Sequence, residues 1–229
     1  MHMKKFFTAA AFAVLAMLNV SAQKNAPFEG TITYTISFEG SGLPPEAMAM
    51  LNGAESVTYI KGDKRRTDMN MAIQSTSAIM DTKSKQIVTL MDMMGQKYLI
   101  RMNEADLKKE EANAPQTSIK YLDETKMIAG YKCKKAEVTL KGKDGKEEVV
   151  NVYYTEEIPT SDLKSAYKGL KGFPMEYTIN QGGIKMSFTT KSVSKEAVAD
   201  SKFEIPKEGY KETTMDEFQK EMMKMGGGQ

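Results

Sequence analysis

The sequence contains almost no histidine, cysteine or tryptophan. Its single histidine is His2, its single cysteine is Cys133, and tryptophan is absent. Catalytic triads, Cys–His pairs and zinc sites with imidazole ligands all need side chains that this chain does not supply. A lone cysteine forms no internal disulfide, so we expect Cys133 to be a buried small apolar side chain. The sequence therefore predicts a protein that is not an enzyme and that holds no cofactor and no metal.

The first 22 residues have the pattern of a cleavable secretory signal peptide. Lys4 and Lys5 are followed by the apolar stretch Phe6 to Val20, and Val20-Ser21-Ala22 supplies small residues for cleavage. This stretch is shorter than the roughly 20 apolar residues that a membrane-spanning helix needs. No cysteine lies near the cleavage site to accept a lipid. We expect a periplasmic or secreted protein that begins at Gln23 and is not an integral membrane protein.

Positive and negative charges are balanced in the mature chain. The 32 basic and 30 acidic residues become equal in number once the two lysines of the signal peptide are removed. Lys61, Lys64, Arg65 and Arg66 cluster around Gly62-Asp63, and we interpret them as the solvated end of a hairpin. The balance argues against nucleic acid as a partner.

Apolar and polar residues alternate through most of the chain, which is typical of half-buried strands. Turn residues such as Gly62-Asp63 and Asn180-Gln181-Gly182-Gly183 separate the alternating segments. The pattern predicts about ten antiparallel strands in meander order. The segments contain Phe28, Ile32, Tyr34, Ile36 and Phe38; Met69, Met71 and Ile73; Tyr98, Ile100 and Met102; Ala136, Val138 and Leu140; Phe173, Met175, Tyr177 and Ile179; and Ile184, Met186 and Phe188.

Helices are predicted only as additions to the strands. Leu43 to Asn52 begins with two prolines and is followed by glycine, and Asn103 to Ala112 is a second short candidate. Thr214 and Glu217 form a capping box before an apolar stripe. The fold class expected is mainly β (α+β), with a strongly curved antiparallel sheet or incomplete β-barrel and a few covering helices. The predicted organisation is a signal peptide (1–22), one β domain (23–212), an amphipathic helix (213–225) and a glycine-rich tail (226–229).

Methionine is the one unusually abundant residue, with 19 in the chain. Unbranched thioether side chains adapt to ligands of varied shape, so same-face methionine pairs suggest a deformable apolar cavity. Two alternatives stay open: ordinary core filling, and a soft-metal site for Cu(I) at residues 91–94 and 222–225. The candidate cavity residues are Met48, Met50, Met69, Met71, Met91 and Met93.

Three segments resemble a known family. The runs DETKMIAGYKCKKA (123–136), VYYTEEIP (152–159) and GLKGFPMEY (169–177) are similar to the DUF4412 family of exported Bacteroidota proteins and the related GLPGLI group. That family has no assigned activity, so the resemblance implies export rather than a reaction. The expected architecture also resembles the LolA/LolB-like fold, an incomplete barrel with an apolar cavity for acyl chains.

The function predicted from these features is a non-enzymatic exported protein that binds a lipid or another hydrophobic ligand in the cell envelope. Its expected partners are a lipid, a lipid-modified protein or another envelope protein. The alternative is an interaction or structural protein whose core is completely filled.

The signal peptide gives the first testable prediction. Protein produced in a Gram-negative host should begin at Gln23 and appear in the periplasmic fraction, because Val20-Ser21-Ala22 is the cleavage site. Intact-mass measurement checks this. A mature protein that retains its first residues or carries an attached lipid would contradict it.

Overall fold

The computed structural model describes residues 28–40, 46, 51, 53–71, 74–93, 95–161, 165–181 and 183–226. The predicted signal peptide and Met48 and Met50 lie outside the described residues. Most of the predicted Leu43 to Asn52 helix also lies outside them.

Within the described part of the chain, twelve strands form one sheet. Two α-helices and one 3₁₀ turn, Asp200–Phe203, accompany it there. The strands are β1 (Glu29–Glu39), β2 (Glu55–Lys61), β3 (Lys64–Met71), β4 (Gln74–Asp81), β5 (Gln86–Met93), β6 (Gln96–Met102), β7 (Gln116–Ile128), β8 (Tyr131–Lys141), β9 (Glu147–Thr155), β10 (Phe173–Gln181), β11 (Ile184–Ser194) and β12 (Lys211–Thr213), and the helices are α1 (Glu104–Asn113) and α2 (Met215–Gly226).

Two antiparallel meanders make up the sheet. The first contains β1 to β6 and the second contains β7 to β11, and antiparallel pairing of β1 with β11 joins them. The short β12 lies parallel to β6 at one edge, and β7 forms the other edge. The predicted count of about ten antiparallel strands was therefore close, and the parallel β12 was not predicted.

Local sequence explains the strands and their turns. In β1, Ile32, Tyr34 and Ile36 are buried while Thr35 and Ser37 between and beyond them are exposed, as period-two alternation predicts. Both predicted helix starts are capped: Asn103 and Asp106 form a capping box at α1. At α2, Thr214 and Glu217 exchange hydrogen bonds of 3.2 Å.

The sheet is strongly curved and does not close. Register shifts occur at the β1–β11, β9–β10 and β7–β8 pairings, and such bulges bend strands and increase their twist. Met69 on β3 and Met175 on β10 belong to one core cluster, although a flat sheet would hold their strands about 19 Å apart. The Tyr34 hydroxyl also reaches past β11 to donate a 2.7 Å hydrogen bond to the carbonyl of Pro174. We call the side that carries Tyr34 and Met69 the concave face.

Both faces are covered near β6. On the convex face, Ile205 and Tyr210 pack against Val88, Leu90 and Leu99. On the concave face, Phe218 of α2 packs against Tyr98 and Ile100. The mainly β fold class with a curved, unclosed sheet and covering helices is thus confirmed.

The pairing of β1 with β11 is tight at Gly30. A β-carbon added there would lie 2.2 Å from the backbone oxygen of Ser194, which is closer than nonbonded atoms approach. Gly30→Ala should therefore lower the free energy of unfolding by about 2 kcal/mol, as overpacking typically does. Urea denaturation measures this. Ser37→Ala, at an exposed position of the same strand, is the control and should change stability little. An unchanged Gly30→Ala protein would contradict the close approach.

Candidate functional site

The four predicted methionines of β3 and β5 lie on the same face of the sheet. Met69 is opposite Thr76 of β4, and Thr76 is opposite Met91 of β5. Met71 and Met93 flank Gln74 in the same way. Because residues directly opposite each other in an antiparallel pair point to the same side, these side chains form two neighbouring rows. Tyr34 shares the first row through Ser56, so both rows are on the concave face.

The concave face is less covered over strands β3 to β5 than over the strands on either side of them. Ile32 and Tyr34 on one flank and Tyr98 and Ile100 on the other are fully buried. Between them, the concave-face side chains of β3 to β5 are half-buried, except for the buried Ile87. Met80 lies on the same face, opposite Arg65. We define the methionine trough as Met69, Met71, Met80, Met91 and Met93 together with the β4 residues Gln74, Thr76 and Ala78.

The two methionine pairs of the trough contact different cores. Met69 and Met71 pack against the core that contains Tyr34 and Ile36. Met91 and Met93 pack instead against the core formed by Tyr98, Ile100 and Phe218. Between the pairs, Gln74 donates a 3.1 Å hydrogen bond to the Thr76 hydroxyl. The structure therefore places both methionine pairs on one face, each against a different core. Strand β4, which lies between the pairs, was not among the strands predicted individually.

Helix α2 closes one side of the trough. Phe218 meets the Tyr98 ring edge-on, with the ring centroids 5.1 Å apart. Met215 and Met222 of the helix pack into the same cluster as Met91 and Met93. Met215, Phe218 and Met222 of the predicted apolar stripe thus face the sheet, and the two methionines lie near Met91 and Met93.

Aromatic side chains fill the concave face on the other side of the trough. The Tyr177 ring stacks on Phe188 at 4.7 Å and meets Tyr34 and Tyr167 edge-on at 5.7 Å and 5.9 Å. Burial raises the pKa of Tyr34 well above its ordinary value, and the neighbouring Tyr177 raises it further. This packed aromatic group leaves the trough as the less filled part of the face.

Arg65 is a functional candidate that the sequence interpretation missed. Although it lies near the β2–β3 turn, its side chain is on the concave face, opposite Ile60 and Met80. Its Nη2 donates a 2.9 Å hydrogen bond to the carbonyl of Pro159, while its buried Nε has no hydrogen-bond partner among the described residues. Burial lowers the pKa of Arg65, with a smaller opposing effect from Tyr34. An unsatisfied buried donor costs about 1–3 kcal/mol, more when it is charged.

Cys133 is buried in the structure, as predicted. Burial raises the pKa of its thiol to about 11, which leaves little thiolate at neutral pH. Among the described residues, no group of three or more His, Cys, Asp or Glu side chains is arranged to hold a metal ion. The described part of the chain also contains no helix that is long and apolar enough to cross a membrane.

An open pocket of about 360 Å³ lies on the convex face. Leu99, Ile205 and Tyr210 contribute its apolar surface, and Arg101 and Glu212 form an ion pair at 2.6 Å beside them. None of the four described candidate methionines, Met69, Met71, Met91 and Met93, lines this pocket, so it is separate from the methionine trough.

Comparison with solved structures finds only distant similarity. PNGF-II has 19% sequence identity and a TM-score of 0.49, over 86% of this chain and 34% of that chain. MucB has 11% identity and a TM-score of 0.35, over 79% and 58%. A β-barrel-like DUF1849 protein from Brucella abortus has 12% identity and a TM-score of 0.29, over 73% and 97%. This chain thus spans about a third of the PNGF-II chain.

Sequence comparison gives no family assignment. No family model matches the chain, and no curated protein matches it significantly. Membership of the DUF4412 family stays a prediction from the three quoted segments.

The covering role of α2 is testable through Phe218. Phe218→Ala should lower the free energy of unfolding by about 3 kcal/mol, because it removes a buried ring that contacts Tyr98. Urea denaturation measures the loss. Met223→Ala is a matched control on the same helix, because the Met223 side chain is 71% exposed and should contribute little. Equal effects of the two substitutions would show that α2 does not pack through Phe218.

Proposed function

We propose that this protein binds the apolar chain of a lipid or a similar elongated hydrophobic molecule in the methionine trough. The observation that carries the proposal is the half-buried trough between two fully buried parts of the same concave face. Such a surface gains free energy when an apolar guest removes it from water, at about 25 cal/mol per Å².

The composition of the trough suits a guest of variable shape. Five methionine side chains have several rotatable bonds each, so they repack around a chain without the strain that a rigid core imposes. The hydroxyl of Thr76 and the amide of Gln74 already bond to each other, which lowers the cost of covering them.

The role that we propose for this protein is that of an exported carrier rather than an enzyme. The predicted signal peptide would deliver it to the periplasm or beyond, where lipids and lipid-modified proteins of the envelope are its expected partners. A carrier needs only reversible burial of an apolar chain, and this requires no reactive side chain.

Binding of the uncharged fluorescent probe N-phenyl-1-naphthylamine tests the proposal. The double variant Met69→Gln, Met71→Gln should weaken probe binding about tenfold, equivalent to about 1.4 kcal/mol, because it places two polar amides among the apolar side chains of the trough. Fluorescence titration measures the affinity, and thermal unfolding measures stability in parallel. The matched control is Met127→Gln, Met223→Gln, which changes two methionines that are 64% and 71% exposed.

Two results would contradict the proposal. The first is failure of the wild-type protein to bind the probe, which would mean that the concave face is filled. The protein would then be interpreted as an interaction or structural protein. Equal weakening by the trough variant and the control variant would place the probe elsewhere on the surface.

A soft-metal site is a second candidate because α2 brings its methionines to the sheet. Met91, Met93, Met215 and Met222 pack around one cluster, and thioethers are good ligands for Cu(I). Titration of Cu(I) against a chromophoric chelator distinguishes this candidate. Copper held by the wild type but not by Met91→Leu, Met222→Leu would support it, and no competition with the chelator would exclude it.

A further inference from the structure

We infer that Arg65 binds the anionic headgroup of the ligand, so that the ligand class is an amphiphile with one acyl chain and a carboxylate or phosphate group. This inference rests on the proposed function, because the apolar chain is placed in the methionine trough.

Arg65 differs from the other two arginines of the chain. Arg66 on the convex face pairs with Asp68 at 2.6 Å and also donates to the Ser77 hydroxyl. Arg101 pairs with Glu212 at 2.6 Å. Arg65 has no carboxylate partner among the described residues, and its one hydrogen bond goes to the neutral carbonyl of Pro159.

The residues in line with Arg65 on the neighbouring strands are apolar. The row that contains it runs from Ile60 on β2 through Met80 on β4 to Ile87 on β5. A guanidinium in such a row is poorly hydrated and has a free Nε–H donor. A carboxylate or phosphate group beside the guanidinium would neutralise a charge that has no carboxylate partner among the described residues.

Arg65 lies in line with two methionines of the trough along strand β3. Arg65, Met69 and Met71 share β3 and its concave face, and Met69 is about 13 Å from Arg65 along the strand. Arg65 is also close to the exposed turn at Gly62, whereas Met69 and Met71 lie further along the strand. An amphiphile would therefore place its charged end near the end of β3 that adjoins the Gly62 turn, and its chain along Met69 and Met71.

Displacement of the uncharged probe by three twelve-carbon ligands tests the inference. Dodecanoate and dodecyl phosphate are anionic, and dodecanol is neutral with a similar chain. The wild type should bind at least one anion ten or more times more tightly than dodecanol. Arg65→Gln should reduce that preference to less than threefold, and Arg65→Lys should retain part of it. Arg101→Gln, which changes an exposed arginine, is the control and should keep the full preference.

The ratio of anion to alcohol affinity separates headgroup binding from a structural role. If Arg65 only holds the loop at Pro159, Arg65→Gln will weaken all three ligands equally and the inference is wrong. A wild type that binds dodecanol as tightly as both anions would also overturn it, while leaving the proposed function intact. Failure of the wild type to bind the neutral probe would instead overturn the proposed function. Preference for dodecanoate indicates a fatty acid, and preference for dodecyl phosphate indicates a lipid phosphate; either supports the inference.

Discussion

The pairing of β1 with β11 is the constraint on which the rest of this structure depends. It joins the meander of β1 to β6 to the meander of β7 to β11, and it runs from Thr31 opposite Ser194 to Glu39 opposite Lys185. A register shift after Thr33 bends the sheet at this pairing, and Gly30 allows the close approach of the two backbones. Because β1 also carries Ile32, Tyr34 and Ile36, the same strand supplies the centre of a buried core. One continuous curved sheet, rather than two separate ones, is the result.

The curvature of the sheet determines which parts of the concave face are covered by other side chains. Side chains from β1, β10 and β11 converge and pack solidly around Tyr177 and Phe188, while α2 covers β6 through Phe218. On β3 to β5, between these two regions, the concave-face side chains other than Ile87 remain half-buried, and these strands carry most of the strand methionines. Arg65 is near one end of this less covered strip. The combination of an apolar strip and one unpaired guanidinium is the physical basis for proposing an amphiphilic ligand rather than a purely apolar one.

Sequence patterns predicted the local structure better than the tertiary arrangement. Alternation identified β1, and the Thr214–Glu217 capping box identified α2, because both signals depend on neighbouring residues. The pairing of β1 with β11 joins strands about 150 residues apart, and nothing in either strand specifies the other. The interpretation of Arg65 as a solvated charge was wrong for a related reason: proximity to a turn usually means exposure. Its spacing of four from Met69 and six from Met71 was the signal that it shares their face.

Native mass spectrometry would detect a bound amphiphile directly in the full-length protein purified, without added detergent or lipid, from the envelope of the cell that normally produces it. We expect a population that carries one copy of an acyl-chain compound with a single anionic headgroup. Organic extraction should release that compound, and the Met69→Gln, Met71→Gln protein should lose it. A wild-type protein that carries no more lipid than this variant would contradict the central claim that the concave face binds an amphiphile.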